Sequence, residues 1–390
     1  MRITNNTLVN QIRNQLTNNA LALMRAQEQV ATGKKINRLS DDPVNGGRVL
    51  DLKSAISRTR QYSDSIGRAT SLTTIQDQTL GQAGNLIGRA KELLLGESNE
   101  VGSTSATRES ARIEIAMLTS QMVQLGNTRY DGNYIFSGFA TTTPAFADAT
   151  INAAPLARTG DATVTGSQVE DATKLTFDNY EIRFTAPGQF DVVNVTSGQT
   201  ALSGQTYASG QPIRFDGIAV TLTSGPLGPA TGDVYGVSAT TPGTYQGDGQ
   251  VQYVEIQQGQ RVQQNTPGDR VFQGTGTAGG VNIFQTLNDI NKALASNDRA
   301  AMSQLLDKLD AAQTQLSNER SQVGARANLL SQVKDRQGEI QMQLDTVRSN
   351  LEDADLAEAI IELNKQQTGY QATIGAAAKI IQPSLLDFLK

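Results

Sequence analysis

Histidine, cysteine and tryptophan are absent from this chain of 390 residues. Without them the chain has no disulfide, no thiolate or imidazole metal ligand, no cysteine nucleophile and no histidine base. The lack of cysteine leaves the compartment open, because disulfide-free proteins work both inside and outside the cell. These absences exclude several catalytic and metal-binding chemistries, and we expect no catalytic residue, no cofactor and no bound metal.

Charge and long apolar runs are scarce as well. Charged residues make up 18% of the chain and the formal net charge is −5. Proteins that bind nucleic acid carry a basic face, so we predict no nucleic-acid partner. No run of about 18 apolar residues occurs, so we expect no membrane span. Residues 1–19 contain no apolar h-region and no small-residue cleavage site, so we expect no cleaved signal peptide.

The longest regular pattern is an apolar seam that runs from Met302 to Ala354. Its residues recur at alternating spacings of three and four without an intervening proline, and only Glu319, Arg326 and Gln337 are polar. A period of 3.5 is typical of a helix that supercoils against partner helices. At about 1.5 Å per residue such a helix is roughly 80 Å long. We predict that it lies along other long helices, from this chain or from neighbouring copies.

The N-terminal segment repeats this spacing over residues 5–31. Asn19 is the one polar residue on its seam, and it either fixes the helix register or is solvated. Gly33 ends the predicted helix. Asp42 then suits the N-cap of the next helix and Pro43 its first residue. Helix capping explains the Asp42 carboxylate, so neither a metal-binding nor an acid–base role is needed to account for it.

Helical patterns continue over residues 44–95 and 111–125, and the composition then changes. Eight of the ten prolines fall between Pro144 and Pro267. Alternating apolar residues predict two hairpins, at residues 175–184 around Asp178-Asn179 and at residues 213–222 around Asp216-Gly217. Further strands are predicted at residues 190–195, 234–237 and 251–256. We therefore predict an inserted β domain.

A glycine-rich segment, residues 274–279, matches the G-x-G-x-x-G pattern of dinucleotide sites. The chain lacks the alternating strands and helices of a Rossmann domain, so we interpret this segment as a linker. It leads into a return helix that begins near Ile283. The last helix is predicted to end at Pro383, which leaves residues 385–389 as an apolar tail.

The terminal helices have similar lengths and matching seams, so we predict that they pair. The fold class is then α+β and multidomain: a long coiled-coil helical bundle formed by the N- and C-terminal segments, with an inserted antiparallel β domain. Periodicity alone leaves two interpretations open. The bundle is either self-contained in a monomer or completed only when copies stack.

Several segments resemble the bacterial flagellin and hook-associated family. They are residues 37–44 (NRLSDDPV), 127–138 (NTRYDGNYIFSG), 324–328 (GARAN), 354–359 (ADLAEA), 366–368 (QQT) and 384–389 (SLLDFL). The versions at residues 41–44 and 134–138 look closer to the members that join hook to filament than to filament flagellin. Segments within residues 215–249 are similar to those of hook-associated proteins.

The resemblance implies a structural protein rather than an enzyme, exported unfolded without a cleaved signal peptide to the extracellular flagellum. It would form the hook–filament junction by helical self-assembly and template flagellin polymerisation. Implied partners are further copies of the chain, a hook-associated protein 1-type adaptor, flagellin, an export chaperone and the export apparatus. The implied domains are an inner tube (residues 1–36 and 355–390), a rod (37–138 and 280–354) and an outer β domain (139–279).

The two terminal seams are then the expected assembly interface. Its predicted residues are Val9, Ile12, Leu16, Leu23, Val30, Leu356, Ile360, Leu363, Tyr370, Ile374 and Ile381. Three alternatives remain. The chain is a filament flagellin, a secreted coiled-coil needle-tip or effector protein, or a carboxylate-based glycosidase whose active site lies in the insert.

Overall fold

The computed structural model describes the backbone of residues 5–99 and 103–387, and the side chains of these ranges except at residues 5, 6, 8 and 379–387. The helices of this part are α1 (Asn5–Thr32), α2 (Pro43–Ser98), α3 (Ser105–Gly126), α4 (Gly268–Gln273), α5 (Ile283–Ser296), α6 (Arg299–Glu352) and α7 (Leu356–Asp387). The strands are β1 (Arg129–Tyr130), β2 (Asn133–Tyr134), β3 (Ile151–Ala157), β4 (Thr163–Val169), β5 (Asn179–Ala186), β6 (Gln189–Asn194), β7 (Thr200–Thr206), β8 (Pro212–Phe215), β9 (Ile218–Thr223), β10 (Val234–Ala239), β11 (Tyr253–Gln257) and β12 (Gln260–Gln263).

The chain divides into two compact units. The terminal unit comprises Met1–Asp64 with Val333–Lys390, and the central unit comprises Ser65–Gln332. The predicted fold class is confirmed, since long terminal helices pair and an antiparallel β domain is inserted between helical segments. No helix in the described ranges is long and apolar enough to cross a membrane.

The helical part of the central unit buries the predicted seams. Met302, Leu309 and Leu316 on α6 are at most 2% exposed and pack with buried residues of α2, α3 and α5. Local chemistry sets the helix ends. Thr104 and Thr107 form a reciprocal capping box at the start of α3.

The β domain contains a five-stranded sheet in the order β3-β10-β5-β6-β7 and a three-stranded sheet in the order β4-β9-β8. The predicted hairpin at Asp216-Gly217 is confirmed: Phe215 pairs with Ile218, and the two turn residues have φ of 41° and 78°. Both turn residues therefore have the positive φ of a type I′ turn, which matches the twist of the strands.

The predicted hairpin at residues 175–184 is wrong. Residues 175–178 form no strand, and Phe177 has a φ of 55°, which no extended strand contains. β5 instead turns at Gly188, whose φ is 73°, and pairs with β6. The sequence pattern missed this turn because apolar alternation continues on both sides of Asp178.

An aromatic cluster joins the β domain to the helices of the central unit. Phe146 lies 5.2 Å from Phe272 and 4.9 Å from Phe284, measured between ring centroids. Phe136 meets Phe272 edge-to-face at 5.3 Å. Such pairs add stability beyond the area that they bury.

Two other predictions about chain segments have definite outcomes. Residues 274–279 form a loop between α4 and α5, as the linker interpretation requires. The predicted end of the last helix at Pro383 is wrong, because α7 continues to Asp387. A proline removes only one helical amide donor, so a helix with neighbouring bonds intact can continue past it.

Candidate assembly interface

Helices α1 and α7 pack against each other in the terminal unit. They are antiparallel: Lys34 forms a β-bridge with Asp353 at one end, and Asn19 Nδ2 donates to Thr373 Oγ1 at 2.7 Å farther along. A polar pair between apolar seams is satisfied in only one register. The contact therefore favours a register role for Asn19 over simple solvation.

Two turns hold the base of this helix pair together. Lys35 N donates to the backbone oxygen of Glu352 at 2.7 Å, and Ala354 N donates to that of Gly33 at 2.9 Å. Gly33 has a φ of 68°, the left-handed conformation that ends many helices. The end of α1 is thereby fixed next to the start of α7.

A buried carboxylate reinforces this junction. The side chain of Glu352 is 4% exposed, and its Oε1 accepts from Lys34 Nζ at 2.8 Å and from Lys53 Nζ at 2.7 Å. Arg348 Nε lies 3.7 Å from Oε2 of the same carboxylate. We call these four residues the Glu352 clamp, since they connect α2 and the end of α6 to the turn after α1.

Two opposing effects set the pKa of Glu352. Burial raises it, whereas the hydrogen bonds from Lys34 and Lys53 lower it. The hydrogen bonds and the positive charges prevail, and the pKa lies below its ordinary value. The carboxylate is therefore ionised at neutral pH and holds both ammonium groups.

The predicted interface residues lie along this helix pair, and those with described side chains are incompletely buried. Val9 is 38% exposed, Leu356 53%, Ile360 47% and Ile374 45%. The others are half-buried: Ile12, Leu16, Leu23, Val30, Leu363 and Tyr370. Ile381 lies in α7, and its side chain is outside the described part of the chain.

Seam spacing missed a second set of apolar residues in the terminal unit. Leu21 is 48% exposed, Met24 63% and Ile361 68%, and all three lie on α1 or α7 beside the 3-4 positions. The available signal was the presence of large apolar residues next to a complete seam. A contact between two helices needs only one apolar stripe, so additional apolar residues indicate a second contact surface. The helix pair therefore exposes apolar side chains beyond its own contact.

The terminal unit has little interior of its own. Both apolar core clusters lie in the central unit. The buried apolar residues described in the terminal unit are Ala26, Ile36, Val49, Ile56 and Ala359. Exposed apolar surface without a supporting core is typical of a site that another protein covers.

The sequence motifs singled out earlier have structural roles. Asp42 Oδ1 accepts from Asn45 N at 3.0 Å, the predicted N-cap, and hydrogen bonds from the backbone and side chain of Asn45 lower the pKa of Asp42. Gly138 has a φ of 69°, and a Cβ there would collide with the Asp248 carboxylate. Arg326 donates to the backbone oxygen of Asn265 at 3.0 Å, which fastens the loop before α4 to α6.

Comparison with known families identifies the class of protein. The N-terminal helical region of bacterial flagellin matches residues 3–141, and its C-terminal helical region matches residues 306–389. These matches include both helices of the exposed pair. The chain belongs to the flagellin family.

The curated relatives are more specific. Flagellar hook-associated protein 3 of Escherichia coli (strain K12) is 31% identical over 150 residues, which cover 38% of this chain and 47% of the relative. The flagellar filament 41 kDa core protein of Borreliella burgdorferi is 23% identical over 202 residues, 51% of this chain and 60% of that protein. The chain spans about half the length of the hook-associated relatives that it matches.

A solved structure agrees on the fold. The structure of a protein assigned to the flagellar hook-associated proteins of Vibrio parahaemolyticus aligns with a TM-score of 0.52 at 15% identity. The alignment covers 80% of this chain and 100% of the Vibrio parahaemolyticus chain. At this identity the likeness concerns the fold alone.

Proposed function

We propose that this chain is a structural subunit of the extracellular bacterial flagellum that forms the hook–filament junction by helical self-assembly and templates flagellin polymerisation. The observation that carries the proposal is the exposed apolar surface of the α1–α7 pair, in a unit whose described residues form no apolar core cluster. Membership of the flagellin family supports the flagellar location. The similarity to hook-associated protein 3 supports the junction position.

In this proposal residues 1–36 and 355–390 form an inner tube, residues 37–138 and 280–354 a rod, and residues 139–279 the outer surface. Copies stack through the predicted seam residues of α1 and α7. The neighbours are an adaptor of the hook-associated protein 1 type and flagellin. Before assembly the chain is carried by an export chaperone and the export apparatus, without cleavage of a leader, and its role is not enzymatic.

The energetics favour coupling of assembly to ordering of the terminal unit. Complete burial of a leucine or isoleucine side chain contributes about 1.5–3 kcal/mol, so each half-exposed one gains roughly 1 kcal/mol on docking. Several such side chains act together only in the polymer. Most helical stability in proteins comes from tertiary packing, so the α1–α7 pair, whose apolar side chains are only partly covered, should gain stability on docking.

Seeded polymerisation tests the position in the flagellum. Purified chain is added to hook-basal fragments or to short filament seeds, and lengths are followed by electron microscopy. A short cap that stops, and then supports filament growth when flagellin is added, is the expected result. Growth into long filaments would instead identify a filament flagellin. Failure to bind either seed would favour the secreted coiled-coil alternative.

A matched pair of variants tests the surface. Ile360 on α7 and Val195 in the β domain are each 47% exposed, so a glutamate at either position is solvated in the monomer. We expect Ile360→Glu to abolish addition to seeds and Val195→Glu to assemble as the wild type does. Circular dichroism checks that both variants fold, and normal assembly of Ile360→Glu would refute the interface.

The flagellar filament is the second candidate. The similarity to the Borreliella filament protein covers a larger share of this chain than the matches to hook-associated protein 3. Both candidates use the same helix pair for stacking. The seeded experiment separates them by length, and the Ile360→Glu variant tests the surface in either case.

A further inference from the structure

A cavity of about 340 Å³ lies within the central unit, between α3, α5 and the β domain. Its walls are mainly apolar and include Val123, Leu175, Phe177 and Leu287. A cavity of this size is at the lower end of the range for small-molecule sites, about 300–1,000 Å³. It has no part in the proposed stacking of α1 and α7.

One side chain in the wall is buried without a partner. Asn288 on α5 is 3% exposed, and neither its Nδ2 nor its Oδ1 has a hydrogen bond within the described part of the chain. Two polar neighbours in the wall do have partners: Thr119 Oγ1 donates to the backbone oxygen of Ile115 at 2.8 Å, and Asn291 Oδ1 accepts from Arg112 Nε at 2.9 Å. A buried carboxamide with both atoms unpaired is destabilising, and such groups normally have a partner.

The chemistry of the wall restricts what can supply that partner. The Asn288 carboxamide presents a donor and an acceptor side by side, so its complement is an amide edge that returns an acceptor and a donor. Asp148 is the one acidic or basic residue among those lining the cavity, and it is exposed. The Asp148 carboxylate would repel an anionic ligand, and a cationic ligand would be buried without a buried counter-charge.

We propose that this cavity binds a small neutral molecule with a flat apolar body and an amide edge, a carboxamide or a lactam, which pairs with Asn288. The apolar residues hold the body of the ligand, and Phe177 adds an aromatic wall against which a flat ring packs. Asn288 sets the orientation of the ligand and its preference for amides.

Titration with benzamide, followed by methyl NMR of the full chain, tests this proposal. We expect saturable shifts at Val123, Leu175 and Leu287, and affinity for benzamide at least about tenfold above that for toluene or benzoate. Asn288→Leu should lose this preference and bind toluene no more weakly. Gln285→Leu replaces an exposed amide one turn earlier on α5 and should leave all three affinities unchanged.

Two results would overturn the proposal. One is the absence of saturable shifts at these methyl groups up to the solubility of benzamide, which would indicate a cavity occupied by water only. The other is an equal affinity of the wild type for benzamide and toluene, which would indicate an apolar void without amide recognition. The second comparison needs no variant, so it decides even if Asn288→Leu does not fold.

Discussion

The two units bury the same sequence pattern to different extents. On α6, Met302 and Leu330 in the central unit are each 0% exposed, whereas Val347, on the same seam in the terminal unit, is 48% exposed. The spacing of three and four does not change between them. A seam therefore specifies a helix with an apolar side, and the rest of the chain decides whether anything covers that side.

The difference follows from what each unit contains. In the central unit α3, α5 and the aromatic cluster surround the seams, and a second core fills the β domain. The terminal unit has more exposed large apolar side chains although it is the smaller unit. Its missing partner is, in the proposed assembly, another copy.

Amide hydrogen exchange should show the largest contrast between the units. We expect the amides of Ile115 and Leu309 to exchange at least about a thousandfold more slowly than those of Ile360 and Ile374, because local opening suffices for the latter. Exchange of the free monomer is followed by mass spectrometry. Equal protection in the two units would contradict this difference, and addition to seeds should raise protection in both α1 and α7.

Within the central unit, truncation of a buried and of an exposed side chain should differ in effect by several kcal/mol. Phe272 is 0% exposed within the aromatic cluster, and Phe272→Ala should lower the free energy of unfolding of the central unit by about 3–5 kcal/mol. Tyr253→Ala, at a site that is 61% exposed, should change it by less than about 0.5 kcal/mol. Urea titration measures both, and a small effect at Phe272 would contradict the assignment of the core.

The Glu352 clamp should contribute less. Glu352→Gln removes two charge-assisted hydrogen bonds, and we expect a loss of about 1–2 kcal/mol from the terminal unit, since Lys34 and Lys53 remain partly solvated. Glu362→Gln, at a more exposed carboxylate on α7, is the control. The difference in stability between the two variants is measured by thermal unfolding, with hydrogen exchange of the α1 amides as the probe.

The clamp also predicts a pH dependence. The folded pKa of Glu352 lies below its unfolded value, so its contribution is complete above the unfolded pKa of about 4.3 and is lost as the pH falls through the folded pKa. The wild type should therefore lose its advantage over Glu352→Gln on acidification below about pH 4. A stability advantage of the wild type over Glu352→Gln that grew toward low pH would contradict this prediction.

The register contact should have the smallest effect. Asn19→Ala removes the hydrogen bond to Thr373, with an expected loss of about 0.5–1.5 kcal/mol in the pairing of α1 with α7. Thr17→Ala is the control, because Thr17 Oγ1 bonds within its own helix, to the backbone oxygen of Arg13. Exchange of α1 amides measures both variants, and equal effects would remove the register role.

Much of the fold could be predicted because its signals are local. The apolar spacing located the long helices, Gly33 and Asp42 marked helix ends, and Asp216-Gly217 marked a hairpin. The hairpin predicted at residues 175–184 was wrong because the positive φ of Phe177 reflects its surroundings rather than its side chain. The extension of α7 past Pro383 was missed because one absent donor does not decide where a helix ends.

The candidate site was predictable only along the seams. The Glu352 clamp was not, since Lys34 and Lys53 lie 318 and 299 positions from Glu352 and no periodic pattern connects them. The exposed Leu21, Met24 and Ile361 were missed because they lie off the seam.

The sequence by itself determined the order of the long helices, the place of the inserted β domain, the apolar seams and the absence of cysteine and histidine chemistry. Helix periodicity, caps and turns depend on residues a few positions apart, so they can be read directly from the sequence. Only the tertiary structure decided which part of each seam is covered, which distant charges surround Glu352 and that Asn288 is buried beside a cavity. Burial depends on packing between segments far apart in the sequence, and a local pattern carries no record of it.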